Sequence, residues 1–225
     1  MVGALGMLLA DGRFPAGSYA HSLGLEQAVA AGLEADGVAA FIAARLRLVA
    51  EPEARLAVAA RRAALRDGVA GALAIDAECD ARCPSPVLRE SARRLGAALL
   101  RSASAVWPAP QGALIGGYRG ASRSTPRPVA LGVVGAAIGI GDAALGAVAL
   151  YDDAATVASA ALKLLPLDPP QASGWIARQA AWIEQAALAL AADERPLAEQ
   201  PAPAAIGLEL AAAVHHDRTE RLFVS

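Results

Sequence analysis

The sequence predicts an all-α protein, folded as a single-domain helical bundle of roughly eight to ten helices. Three observations carry that expectation. Alanine-rich segments with apolar residues three and four positions apart recur along most of the chain. Runs of alternating valine, isoleucine, threonine and aromatic residues, the mark of half-buried strands, are missing. Helix-start signals such as Ser85-Pro86 stand between the periodic segments.

Taken in order, the first clear helix is expected to be capped by Asp36. Its apolar face is Val38, Phe41, Ile42, Leu46 and Val49, and it should end near Glu51-Pro52. A second helix is expected from Pro52 to Asp67-Gly68. The third carries the best start signal, a capping Ser85 followed by Pro86 in the first helical position. It runs through Leu88, Ala92, Leu95, Leu99 and Val106 and stops at Trp107-Pro108. From Pro108 to Pro128 the text PAPQGALIGGYRGASRSTPRP is rich in proline and glycine with little apolar periodicity, which predicts a long exposed loop. Helices are then expected over Val129–Ile140, over Asp142–Leu165 and from Ser173. The last of these aligns Trp175, Gln179, Trp182, Ile183, Ala186 and Leu190 on one stripe, where both tryptophans fill core. A breaker-rich stretch from Asp193 to Pro203 precedes a short final helix. The tail HHDRTERLFVS ends in abruptly apolar Leu222 and Phe223, which need either the chain's own core or a partner to cover them.

Composition bounds the function. At 225 residues and 56% hydrophobic content, the chain can bury one large core or two small ones, and one domain is the working expectation. Lys+Arg 20 against Asp+Glu 22, with no long basic tract, does not signal a nucleic-acid surface. Arginine supplies nearly all the positive charge and Lys163 is the single lysine, which removes most lysine-dependent chemistry. Two cysteines cannot staple a chain of this size, and the N-terminus lacks the pattern of a signal peptide, so a cytoplasmic location is expected. Val129 to Leu150 has the apolar length of a membrane span. Asp142 near its middle would cost about 2.5 to 3.5 kcal/mol, which weakly apolar alanine and glycine do not offset, so the stretch reads as two buried helices.

Candidate chemistry is sparse. Asp11, Ser18, His21 and Ser22 are the one place where nucleophile, base and orienting types cluster, but their spacing matches no catalytic frame and suits helix capping equally well. Gly139-Ile140-Gly141-Asp142-Ala143-Ala144 imitates a dinucleotide-binding turn, yet helix signals surround it, and close packing through small residues accounts for it. No phosphate-binding loop is present. The soft metal ligands are Cys79, Cys83, His21, His215 and His216. Cys79 and Cys83 lie one helical turn apart and could bind a metal with His215 or His216 from the tail, and those two histidines are weak candidates for holding nickel. A small helical enzyme or metal-binding protein using Asp11, Ser18 and His21 with Cys79/Cys83 is the alternative reading.

One stretch is far denser in information. Leu9-Ala10-Asp11-Gly12-Arg13-Phe14-Pro15-Ala16-Gly17-Ser18-Tyr19-Ala20-His21-Ser22-Leu23-Gly24-Leu25-Glu26 resembles the opening signature of UreF urease accessory proteins. Arg89 to Arg101, Pro128 to Gly132 and Lys163 to Leu167 are similar to further segments of that family, in the same order, and Arg221-Leu222-Phe223-Val224-Ser225 resembles its terminus. The chain departs from the pattern at Asp168–Gly174, where the family commonly carries a glycine-glutamine turn, and in the tail at His215-His216 and Thr219.

The resemblance implies an all-α, dimerising scaffold that is not itself an enzyme. It would dock a second accessory protein (UreD, also called UreH), recruit the GTP-hydrolysing UreG and act on apo-urease. Nickel and GTP would be handled through those partners, with no cofactor held directly. The residues expected to meet partners are Pro15, Gly17, Ser18, Tyr19, His21, Ser22, Gly24 and Glu26 in the signature, Lys163, and Arg218, Arg221, Leu222 and Phe223 in the tail.

Overall fold

In a computed structural model of the protein, residues 2–16, 20–203, 205–216 and 222–223 are described, His215 and His216 by backbone alone. They form ten α-helices and no strand: α1 Ala4–Ala10, α2 Leu25–Ala30, α3 Val38–Arg45, α4 Glu51–Ala81, α5 Pro86–Val106, α6 Ala113–Ala121, α7 Arg127–Ala137, α8 Asp142–Leu164, α9 Pro169–Ala192 and α10 Ile206–His216. The all-α expectation holds.

The centre of the fold is α7. Every residue from Pro128 to Ala136 is buried, so this helix is apolar on all sides and walled by α4, α5, α6 and α8. Small residues set how closely its neighbours approach. A Cβ on Gly132 would lie 2.3 Å from the Ala57 carbonyl oxygen of α4, a distance no side chain tolerates. On α5, a Cβ at Gly96 would lie 1.9 Å from the Thr125 carbonyl oxygen. Helices α8 and α9 pack as an antiparallel pair, with Trp175, Ile183 and Leu190 buried along the predicted stripe. Trp182 is half-buried with the Arg47 guanidinium 4.8 Å over its ring.

Several element boundaries differ from expectation. Asp36 caps no helix; it lies inside the 3-10 turn Ala35–Gly37, and α3 receives no side-chain cap. Nor does the helix end at Glu51-Pro52. Pro52 has no amide to offer the Leu48 carbonyl, and its ring crowds that oxygen. The chain meets this with a π-helical turn over Leu46–Ala50 and continues directly into α4. Gly68 does break the helix, at φ +62° and ψ −140°, but as a kink after which α4 runs on to Ala81. The expected start at Ser85-Pro86 is present, with Ser85 Oγ accepting the Leu88 amide at 3.4 Å.

The expected 108–128 loop is also corrected. It contains α6, whose Ile115 and Tyr118 are fully buried. Tyr118 donates its hydroxyl to Asp76 Oδ1 at 2.5 Å, and Ser122 donates to Asp76 Oδ2 at 2.6 Å, so the segment is pinned to α4. Helix α9 starts earlier than Ser173, with Asp168-Pro169-Pro170 forming its first turn, so the segment where the chain departs from the UreF pattern is a helix N-terminus. Gly139 and Gly141 do not mediate close packing. A Cβ at either would meet open space, and Gly139 serves the turn between α7 and α8 at φ +76°.

Val129 to Leu150 forms the two expected buried helices. Among the described residues α8 alone is long and apolar enough to cross a membrane, but 61% of its most apolar window is buried inside the fold. Arginines of α4 fasten the start of α8 and the end of α9 to the rest of the bundle. Arg61 and Arg62 pair with Asp142 at the start of α8, at 2.6 and 2.7 Å. Arg62 also donates to the Ala191 and Asp193 carbonyls at the end of α9, where exposed carbonyls attract a cation.

Candidate functional site

The signature runs from an exposed turn into the core. At its start Asp11 is clamped by Arg13, whose backbone amide and guanidinium both bond to the carboxylate. The next two residues anchor inward. Phe14 stacks on Trp107 with centroids 6.0 Å apart, and Ser102 donates its hydroxyl to the Pro15 carbonyl at 2.6 Å. Gly17, Ser18 and Tyr19 lie outside the described residues.

His21 and Ser22 are buried, with 6% and 0% of their surface exposed. His21 Nδ1 lies 3.5 Å from Ser91 Oγ on α5, and burial, helped by the charges of Arg127 and Arg94, lowers its pKa to about 4. The ring is neutral at physiological pH. Ser22 Oγ accepts the Glu26 amide at 3.3 Å, as a local cap on α2. Between them the backbone turns twice through the left-handed region, at Leu23 with φ +54° and Gly24 with φ +90°. Gly24 also admits α10, since a Cβ there would stand 3.3 Å from Leu208 Cδ2. The bend leaves the Leu23 carbonyl facing inward, where it accepts Arg45 Nη1 at 3.1 Å.

Glu26 then joins the signature to the other end of the chain. Its carboxylate accepts the amide of Leu222 at 2.6 Å and that of Phe223 at 3.0 Å. Phe223 is buried in the chain's own core, and Lys163 Nζ, at the end of α8, lies 5.1 Å over its ring. Leu222 is 62% exposed. Of the two apolar tail residues expected to need a partner, this chain itself covers one. Arg218 and Arg221 lie outside the described residues, as do the side chains of His215 and His216.

Signature, α4, α5, α8 and α10 together bound a cleft of about 190 Å³. Two ion pairs are among the residues that line it. Arg45, on α3, makes a two-pronged contact with Asp153 of α8, at 3.0 Å from Nε and 2.9 Å from Nη2, and both side chains are almost fully buried. Arg127, at the start of α7, pairs with Asp152. Beside them lies Glu53 of α4, which has neither hydrogen bond nor ion pair among the described residues. Burial raises its pKa, with Asp153 adding to the effect and Arg45 and Arg127 opposing it.

His21, Cys79 and Cys83 share this cleft, whereas Asp11 sits apart on its exposed turn. Among the described residues no three His, Cys, Asp or Glu side chains are arranged to hold a metal ion. Burial raises the pKa of both thiols, which keeps them in the protonated form that binds metal poorly. Arg45, Glu53, Arg127 and Asp152-Asp153 were not singled out from the sequence. The available signal was their placement: Arg45 follows Phe41-Ile42 on an apolar face, and Asp152-Asp153 interrupt a long alanine-rich helix.

A family model described as UreF matches residues 33–180 of the chain. A urease accessory protein UreF of Mycobacterium sp. (strain JLS) is 33% identical over 223 residues, 97% of each chain. One from Mycolicibacterium vanbaalenii is 36% identical over 165 residues, covering 72% of this chain and 73% of the relative. A third, from Mycobacterium tuberculosis (strain ATCC 25177 / H37Ra), is 34% identical over 228 residues, 97% of both. The matches that cover 97% of the chain reach beyond the span of the family model and take in the signature.

Proposed function

The chain belongs to the UreF family of urease accessory proteins, and from that premise we propose that it is a non-catalytic scaffold of urease maturation. It holds UreD (UreH) and UreG on apo-urease and couples GTP hydrolysis by UreG to nickel delivery. Nickel and GTP are handled through the partners, and the chain binds no cofactor of its own. It works in the cytoplasm as a homodimer, away from nucleic acid and membrane.

The observation that carries this reading is the junction at Glu26. The signature and the C-terminal tail, the two segments in which all the expected partner-binding residues but Lys163 fall, meet there through Glu26, Leu222 and Phe223. Leu222 stands exposed on that face as an apolar contact for a partner, while Phe223 and Lys163 hold the tail against the bundle. The chemistry of the chain supports the same division of labour. His21 is buried and neutral, the thiols are protonated, and Lys163 stacks over Phe223.

Co-expression of this chain with the urease subunits, UreD and UreG tests the reading, scored by nickel content and urease activity. Omitting the chain should leave urease largely nickel-free and inactive. Undiminished activation without it would refute the proposal.

A further inference from the structure

The partner-holding role leaves the cleft beside His21 unused, and its charge balance is uneven. Four guanidiniums, of Arg45, Arg82, Arg89 and Arg127, and five carboxylates, of Glu53, Asp80, Asp152, Asp153 and Glu209, line it; Arg82 pairs with Glu78, Asp80 with Arg93, and Arg89 donates to the Cys83 and Pro84 carbonyls. Arg45 is committed to Asp153 and to the Leu23 carbonyl, and Arg127 to Asp152. Among the described residues Glu53, flanked by Arg45 and Arg127 but bonded to neither, is left without a hydrogen bond or ion pair, and so is Glu209 on α10. Neutral His21 adds no positive charge. The walls around Glu53 are largely apolar, with Val49, Leu56, Leu88 and Leu95 among them. A carboxylate set among apolar groups without a bonded partner calls for a cation, and a long aliphatic stem ending in a cation also matches such walls.

We propose that the cleft receives one basic side chain, an arginine or lysine presented by a partner protein, with its stem along Leu56 and Leu95 and its cation on the Glu53 carboxylate. A preformed metal site is not the alternative, since no triad of ligands converges there among the described residues. Buried arginine anchors of this kind carry a large share of interface energy when their charge is met. The signature frames the mouth through Leu23 and Gly24, and α10 flanks it through Leu208. The cleft therefore opens beside the Glu26 face, and the anchor would enter as a partner docks. This inference rests on the scaffold reading for the source of the side chain, though not for the chemistry of the cleft.

The test uses the full chain and two arms. In the first, ethylguanidinium chloride is titrated against methyl resonances of Leu23, Leu56 and Leu95, with ethylurea as the uncharged control. Saturable shifts are expected for the wild type, at least tenfold weaker binding for Glu53→Gln, and none with ethylurea. Equal binding by the two proteins, or no binding by either, would overturn the site. Glu53→Gln loses no hydrogen bond or ion pair among the described residues, so its melting temperature should match or exceed that of the wild type; a large drop would show that Glu53 is paired internally and would also overturn the proposal. In the second arm, Glu53→Gln should recover at least tenfold less of the partner proteins from co-expressing cells. Wild-type recovery would exclude a partner's side chain as the occupant. If wild-type chain itself recovers no partner, the scaffold reading fails, while the guanidinium arm still decides the cleft.

Discussion

Glu26 accepts the backbone amide of Phe223 at 3.0 Å, although 197 positions separate the two residues. This contact closes the chain on itself and makes one surface of its two ends. A hydrogen bond to a charged group is worth about 1.5 to 3 kcal/mol, so Glu26→Ala should free the tail without disturbing the bundle. Hydrogen exchange at the Leu222 and Phe223 amides should rise about tenfold or more, while exchange in α7 stays unchanged.

The Arg45–Asp153 pair makes a separate prediction about stability. Both side chains are buried, and the pair joins α3 to α8 while supporting the Leu23 turn. Removing one partner strands a buried charge, at a cost of about 3 to 5 kcal/mol. Denaturant unfolding of Asp153→Ala should show a loss of that order. The paired change Arg45→Met with Asp153→Leu should recover much of it, because no unpaired charge remains.

His21 sets a pH dependence with a definite sign. Its folded pKa of about 4 lies below the unfolded value of 6.5, so the unfolded chain binds the extra proton first. The stability it contributes is present above pH 6.5 and is lost as pH falls from there toward 4. Glu53 and Asp76 act in the opposite sense, since burial raises their folded pKa values. A difference measurement isolates the histidine: unfolding free energy between pH 7.5 and 4.5 should fall by about 2 to 3 kcal/mol more in the wild type than in His21→Gln.

How far the sequence disclosed these features depended on how local their causes are. Ser85-Pro86 announced α5 because the cap and the fixed proline φ act within four residues. The stripe from Trp175 to Leu190 was legible because 3.6-residue spacing is a property of one segment. Pro52 misled, since a proline ends most helices, yet here the π-helical turn before it absorbs the missing bond. Helix α6 was hidden because its glycines mask the spacing of Ile115 and Tyr118, and it is held by Asp76, some 42 positions earlier.

The same distinction governs the site. Resemblance located the signature, and composition flagged the apolar tail, but nothing local told that Glu26 receives the tail. Nor did the text around Arg45 reveal Asp153, its partner 108 positions away. Paired charges in a bundle of alanine-rich helices become visible only once the helices are in place.

On the proposed reading, the signature and tail act as one partner-holding face through Glu26. The most direct test is recovery of UreD from cells that co-express it with wild-type chain, with a chain lacking residues 218–225, or with Glu26→Ala. We predict that the truncated chain loses UreD and that Glu26→Ala, still folded by circular dichroism, weakens its recovery at least tenfold. Wild-type recovery of UreD by both variants would show that the signature and tail form no partner-holding face.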